Sequence, residues 1–84
     1  MSDLDRFSAE ELNELHLATY RRSLACYERA SEIIHRMVAM PVTSGEYEQA
    51  EADARLAMAA GEEAHEQLRE ISRAIDARRE ARHA

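Results

Sequence analysis

The sequence predicts an all-α fold, an antiparallel two-helix hairpin that dimerises into a four-helix bundle. Three observations lead to this prediction. Two glycines and one proline occur in 84 residues, so little in the chain interrupts a helix. Two helix-start signals are present, one near the N-terminus and one just after the proline. Apolar residues recur at steps of three and four, the spacing of one helix face.

Both helix starts match the capping box, in which a hydroxyl caps the helix and a Glu three residues later reaches back. In the first signal Ser8 is the predicted cap and Glu11 its partner. In the second, Thr43 is the predicted cap and Glu46 its partner. Two such signals in one short chain predict two helices.

The proline between the two signals sets the turn. Pro41 disfavours the α conformation at Met40, so the first helix is predicted to end there. The predicted helices run from about 9 to 40 and from about 44 to 79, with a turn at 41–44. Similar lengths and a short connection predict an antiparallel hairpin, and we expect one domain over residues 1–84.

The first helix carries more apolar surface than one neighbouring helix can cover. Its first apolar row contains Leu17, Tyr20, Leu24, Tyr27, Ser31, Ile34 and Val38. Its second row contains Leu12, Thr19, Ser23, Cys26, Ala30, Ile33 and Met37. We expect the first row to face the second helix and the second row to stay uncovered. The predicted dimer interface is therefore formed by Leu12, Cys26, Ile33 and Met37.

The second helix has one narrow apolar row made largely of small residues: Tyr47, Ala50, Ala54, Ala57, Gly61, Ala64, Leu68, Ile71 and Ile75. Folding the chain about residues 42 and 43 pairs positions whose numbers sum to about 85. Tyr27 is then expected to face Ala57, and Leu24 to face Gly61. Large side chains would meet small ones, which favours close packing.

The composition excludes several classes of function. The net charge of −6 argues against a nucleic-acid or membrane-surface partner, because both would require a basic patch. The single cysteine, Cys26, permits no intramolecular disulfide and is consistent with a cytoplasmic location. No membrane span or signal peptide is predicted. No nucleophilic triad or phosphate-binding loop is present.

These observations predict a non-enzymatic protein without a cofactor, which self-associates and acts through protein–protein contacts. An adaptor, a chaperone or a regulatory inhibitor would fit this description. Acidic residues at the start of the second helix form a predicted patch for a partner with a basic surface. The patch consists of Glu46, Glu48, Glu51 and Asp53.

Two Glu-x-x-His sequences suggest an alternative function. Glu32 precedes His35 by three residues, and Glu62 precedes His65 by three. This spacing places a carboxylate and an imidazole on one helix face, where they can bind one metal ion. The same spacing also occurs on an ordinary charged surface, where the two side chains contact each other without a ligand. His16 is expected within about one helical turn of His65 and could extend a cluster there.

With Glu32 on the first helix and Glu62 and His65 on the second, the sequence resembles the ferritin-like proteins, especially the two-helix encapsulated type. The resemblance covers these residues and the hairpin shape. It implies that the three side chains bind iron or another divalent metal across a dimer, with iron oxidation as the reaction. The alternative prediction is thus a minimal ferritin-like metal-binding protein.

Overall fold

A computed structural model describes residues 3–83, and it is all-helical over that range. A short 3₁₀ helix, Asp3–Arg6, precedes two α-helices, α1 (Ala9–Met37) and α2 (Gly45–His83). The two α-helices pack extensively against each other as an antiparallel hairpin, and the 3₁₀ helix contacts α2. The molecule measures 60 × 20 × 17 Å, and α2 spans nearly all of its length at about 1.5 Å per residue.

The start of α1 confirms the first predicted capping box. Ser8 adopts an extended backbone conformation, and its Oγ accepts a hydrogen bond from the Glu11 amide at 3.1 Å. In return the Ser8 amide donates to Oε1 of Glu11 at 3.0 Å. Two amides that would lack partners at the helix start are thereby satisfied.

The end of α1 lies at Met37, three residues before the predicted end at Met40. Beyond it, Ala39 donates to the carbonyl of Arg36 at 3.2 Å and Met40 to that of Met37 at 3.0 Å. These bonds span three residues, which tightens the final turn. Pro41 explains the early end, because a proline ring clashes with the carbonyl four residues before it, here that of Met37.

The predicted cap of the second helix is wrong by one residue. Ser44, and not Thr43, caps α2: its Oγ accepts from the Tyr47 amide at 3.1 Å and donates to the Pro41 carbonyl at 2.7 Å. The Ser44 amide also donates to that carbonyl, at 3.0 Å. Ser44 therefore closes the turn through Pro41 and caps α2 through Tyr47 at the same time, which accounts for a cap at Ser44 and not at Thr43.

The buried face of α2 is the predicted one. Its row of small residues lies in the interior, with the longer side chains at the two ends partly covered. The buried members are Ala50, Ala54, Ala57, Gly61, Ala64 and Ile71. Near the turn, Ile33 of α1 packs with the alanines of this row, and Met37 and Met40 cover the cluster.

The face of α1 that meets α2 is not the predicted one. The second apolar row faces α2, and its buried members are Leu12, Thr19, Ser23, Ala30 and Ile33. The physical reason lies in side-chain size. A row of alanines on α2 allows a close approach of the two backbones, which leaves little room at the middle of the contact for side chains larger than Ser23 and Ala30. The larger Leu12 and Ile33 are buried toward its two ends. The larger residues of the first row are displaced to the side.

The pairing of levels also differs from the prediction. Tyr27 lies against Gly61, and His16 contacts Ser72, so paired positions sum to 88 and not to 85. Helical side chains lean toward the N-terminus of their own helix. Two side chains that touch therefore come from residues about one position C-terminal, on each helix, to the backbone level at which they meet. This lean accounts for about two of the three residues of difference.

Candidate functional site

The most prominent surface feature is a row of partly exposed apolar side chains along α1, here called the α1 strip. It consists of Leu17, Tyr20, Leu24, Tyr27 and Ile34. Each of these residues remains between 37% and 48% exposed. Their spacing places them on one side of the helix. Outside the strip, the exposed large apolar residues are Val38, Val42, Leu56 and Met58, at 42% to 84%.

The α1 strip lies at an angle to the buried face of α1. At about 100° of rotation per residue, the strip is centred about 100° around the helix from the residues that pack on α2. In a four-helix bundle each helix has two neighbours, at roughly a right angle to each other. The hairpin thus presents one covered face and one uncovered face in the relation that such a bundle requires.

One member of the strip is anchored to α2. A Cβ built on Gly61 would lie 3.0 Å from two ring carbons of Tyr27, which is too close for a side chain without a shift of the ring. Gly61 therefore provides the room that lets Tyr27 lie across α2. Sequence reasoning assigned that room to Leu24, and the structure assigns it to Tyr27.

The shape of the hairpin leaves much of its surface exposed. Its radius of gyration is 17.9 Å, whereas a compact domain of this length is expected near about 12 Å. Its accessible surface is 6631 Å², against about 5,100 Å² expected for a compact monomer of this mass. The excess is about 1,500 Å², more than the roughly 800 Å² that a typical partner buries in a stable complex.

The residues of the predicted dimer interface are covered within the hairpin itself. Leu12 is 0% exposed and Ile33 is 5% exposed, because both lie inside the hairpin. Cys26 and Met37 are partly buried along the same face. The expectation that this row stays uncovered is therefore corrected, and the α1 strip is the row that α2 leaves open.

The proposed metal ligands are not gathered within one chain. Among the residues that the structure describes, no group of three or more His, Cys, Asp or Glu side chains could hold a metal ion. Glu32, Glu62 and His65 are all exposed. Glu32 lies about 140° around α1 from Tyr27, on the side of α1 that faces away from α2. A site shared between two copies stays a prediction.

His16 does not join such a cluster. Its Nε2 lies 3.2 Å from Oγ of Ser72, within hydrogen-bonding distance in a partly buried setting. Ser72 is seven residues beyond His65, so the two histidines are separated by about 10 Å along the helix axis. This contact also establishes that the His65 side of α2 is adjacent to the α1 side that carries His16.

The predicted acidic patch is divided between two sides of α2. Glu46 and Asp53 are seven residues apart and line one hollow with Ile33 of α1. Glu48 lies about 160° around the helix from Glu46, and Glu51 lies within about 60° of Glu48. Asp53 accepts a hydrogen bond from Gln49 at 3.0 Å, and Glu51 forms an ion pair with Arg55 at 2.9 Å.

Polar contacts between the two helices involve few charges. The ion pairs among the described residues all lie within single elements and are exposed, as in the Arg69–Glu66 pair at 3.6 Å. Across the hairpin, Arg22 donates to Gln67. Arg78 donates to the carbonyl of Asp5 at 3.4 Å. Burial of side chains on α2, and not ion pairing, therefore holds the helices together.

Neither α-helix is apolar enough over a sufficient length to cross a lipid bilayer, as judged over residues 3–83. No protein-family model, curated protein or solved structure matches this chain.

Proposed function

We propose that this protein is a self-associating helical hairpin that acts through protein–protein contacts, with the α1 strip as its self-association surface. The observation that carries the proposal is the strip itself, a continuous row of half-exposed Leu, Tyr and Ile side chains. Contiguous exposed apolar surface is typical of sites that contact another molecule. Two strips packed together would complete a four-helix bundle.

The size of the exposed surface supports the same proposal. The hairpin exposes about 1,500 Å² more than a compact monomer of its mass. Packing a second copy on the α1 strip would remove part of this excess from water, and apolar burial stabilises a complex by roughly 25 cal/mol per Å² before the costs of association. A dimer of this kind could act as an adaptor, a chaperone or a regulatory inhibitor.

We further propose that any partner with a basic surface approaches α2 at Glu46 and Asp53, which lie on one side of the helix about two turns apart. These two carboxylates line one hollow beside the turn and outnumber the cation there, Arg36 of α1. Asp53 and Gln67 are 14 residues apart on α2, close to four full turns, so they lie on the same side of the helix. Because Gln67 accepts from Arg22, the two carboxylates are on the side of the hairpin that carries this contact. This site and the α1 strip can be occupied at the same time.

Sedimentation velocity over a range of concentrations tests self-association. We expect a dimer of twice 9.6 kDa at high micromolar concentration. Leu24→Glu should give a monomer that keeps its helical circular dichroism, because the change adds a charge to the strip. The matched control is Leu56→Glu, since Leu56 is an exposed leucine of α2 outside the strip. A monomeric wild-type protein, or equal effects of both variants, would contradict the proposal.

A metal-binding function is the second candidate. The observation that favours it is the position of Glu62 and His65, three residues apart on α2, on the side adjacent to His16 and Tyr27. A second copy docked on the α1 strip would approach this side. Glu32 lies on another side of α1, so such a site would use Glu62 and His65 from each copy.

Calorimetric titration with ferrous, zinc and manganese ions tests this candidate. We expect binding tighter than millimolar that is lost in Glu62→Ala and His65→Ala. Glu63→Ala is the control, because Glu63 is a neighbouring exposed carboxylate on the opposite side of α2. Binding no tighter than millimolar in the wild-type protein would eliminate the metal function.

A further inference from the structure

The α1 strip is bordered by a line of charged residues that indicates how a second copy is oriented. Resting on the proposed self-association, we infer that two hairpins pack strip to strip with their α1 helices antiparallel. The twofold axis of this dimer passes near residues 25 and 26 of α1. Three features support the inference: the extent of the strip, the order of charges beside it, and its position around the helix.

Within α1 the strip extends from Leu17 to Ile34, so its midpoint lies between residues 25 and 26; Val38, 84% exposed, continues the same row just beyond the helix end at Met37. An antiparallel overlay about this midpoint pairs positions whose numbers sum to 51. Leu17 of one copy then meets Ile34 of the other, and Leu24 meets Tyr27. Every apolar residue of the strip is covered, with Tyr20 opposite Ser31.

The charged line consists of Glu14, Arg21, Glu28 and His35, each seven residues from the next and all exposed. Residues seven apart lie almost above one another on a helix. Arg21 and Glu28 follow Leu17 and Leu24 by four residues, about 40° around the helix, so they border the strip. Neither takes part in an ion pair among the residues that the structure describes.

An antiparallel overlay brings opposite charges together along this line. Arg21 of one copy comes within two residues of the level of Glu28 of the other, an offset of about 3 Å, and the reverse pair forms by symmetry. Glu14 and His35 come to the same offset, where the imidazole can hydrogen-bond to the carboxylate. In a parallel overlay each residue lies at the level of the same residue in the second copy. Arg21 then meets Arg21 and Glu28 meets Glu28, so no Arg–Glu pair forms along this line. Charges that border an apolar interface commonly set helix orientation in this way.

The position of the strip is consistent with such a dimer. Because the strip is centred about 100° from the face that packs on α2, each α1 can contact its own α2 and the second α1 at once. Gly61 contributes by making room for the ring of Tyr27, which contacts α2 while 37% of the residue stays exposed on the strip.

Spin-label distance measurement decides the orientation. Asn13 is exposed beyond the N-terminal end of the strip, and a single label at Asn13→Cys in a Cys26→Ser background reports the distance between copies. The antiparallel dimer places the two labels 25 residues apart along the axis, about 40 Å. A parallel dimer places them within about 20 Å, given helix axes 8–10 Å apart and flexible labels. A labelled Asn13→Cys copy mixed with a labelled Val38→Cys copy should give the short distance, since 13 and 38 sum to 51.

Charge reversal is the second measurement. Arg21→Glu and Glu28→Arg should each weaken dimerisation by about tenfold, and the double variant should restore it because the pairs re-form with exchanged signs. Arg29→Glu, on another side of α1, is the control and should leave the dissociation constant unchanged. A dimer with labels within about 20 Å, or a double variant no tighter than the singles, would overturn the antiparallel inference and leave self-association standing. A monomer at all concentrations would overturn both proposals.

Discussion

The ring of Tyr27 lies against Gly61, where an added Cβ would come within 3.0 Å of two ring carbons. This contact joins the α1 strip to α2 and sets the level at which the helices pair. Glycine inside a helix costs about 1 kcal/mol relative to alanine. The cost is offset here because a larger side chain would push Tyr27 out of its place.

Replacing Gly61 should therefore destabilise the hairpin. For Gly61→Leu we expect a loss of about 1–3 kcal/mol in the free energy of unfolding, since the side chain overfills the space beneath the ring. Urea unfolding measures the change. Adding Tyr27→Ala should recover part of the loss. Gly45→Leu is the control, because an added Cβ at Gly45 has no neighbour within 4 Å; an equal loss in both variants would contradict the role of the ring.

The helix cap at Ser44 yields a second prediction. Ser44→Ala removes the hydroxyl that accepts from Tyr47 and donates to Pro41, and the loss of such a cap costs about 1 kcal/mol. Thr43→Ala should change stability by less than about 0.5 kcal/mol, as surface substitutions usually do. Thermal unfolding followed by circular dichroism separates the two. If Thr43→Ala were the more damaging change, the cap would lie at the residue that the sequence pattern indicated.

Two adjacent isoleucines should behave differently. Ile33 is 5% exposed and Ile34 is 47% exposed. In a Leu24→Glu background, which removes any effect of dimerisation, Ile33→Ala should lower the free energy of unfolding by about 2–4 kcal/mol. Ile34→Ala should lower it by less than about 1 kcal/mol, because half of its side chain is already in water. In the wild-type background Ile34→Ala should weaken the dimer. Equal losses at both positions would refute the assignment of the two faces of α1.

The capping box at the start of α1 makes stability depend on pH. The Ser8 amide and hydroxyl bond to the carboxylate of Glu11 and, with the nearby Arg78, lower its pKa below the ordinary 4.5. A lowered pKa in the folded state means that the charged form stabilises the fold. This contribution is complete above about pH 4.5 and is lost as the pH falls through the lowered pKa.

Glu11→Gln tests this dependence. Urea unfolding of both proteins between pH 3 and pH 7 should give a difference that is largest at neutral pH and shrinks below about pH 4.5. Glu10→Gln serves as the control, because Glu10 is a neighbouring exposed carboxylate outside the box. A difference that stays constant down to pH 3 would show that the charge of Glu11 does not contribute.

Much of the fold could be predicted because the signals for it are local. The Ser8–Glu11 capping box is complete within four residues. Pro41 ends α1 through a local clash that does not depend on the path of the rest of the chain. The second cap was misplaced because Thr43 and Ser44 are both suitable caps, and only Ser44 also reaches the Pro41 carbonyl. That bond depends on the path of the turn, which local pattern does not describe.

The candidate site was harder to predict, since it depends on which face of α1 remains after packing. Sequence reasoning anticipated that α1 has more apolar surface than α2 can cover, and the exposed α1 strip agrees with this. It chose the wrong row, however, because it expected large residues such as Leu24 to lie directly on α2. The alanine content of α2 was the available signal, because alanines let the two backbones approach closely and leave little room directly between them for a side chain such as Leu24.

By itself, the sequence determined two helices, one turn and a single buried face on α2, because α2 has only one apolar row and must bury it. The tertiary structure alone decided which of two apolar rows on α1 meets that face. Both rows are similarly spaced, so hydrophobic periodicity cannot distinguish them. The choice is made by the distance of approach: the alanines of α2 admit Ser23 and Ala30 between the helices and leave Leu24 and Tyr27 at the surface.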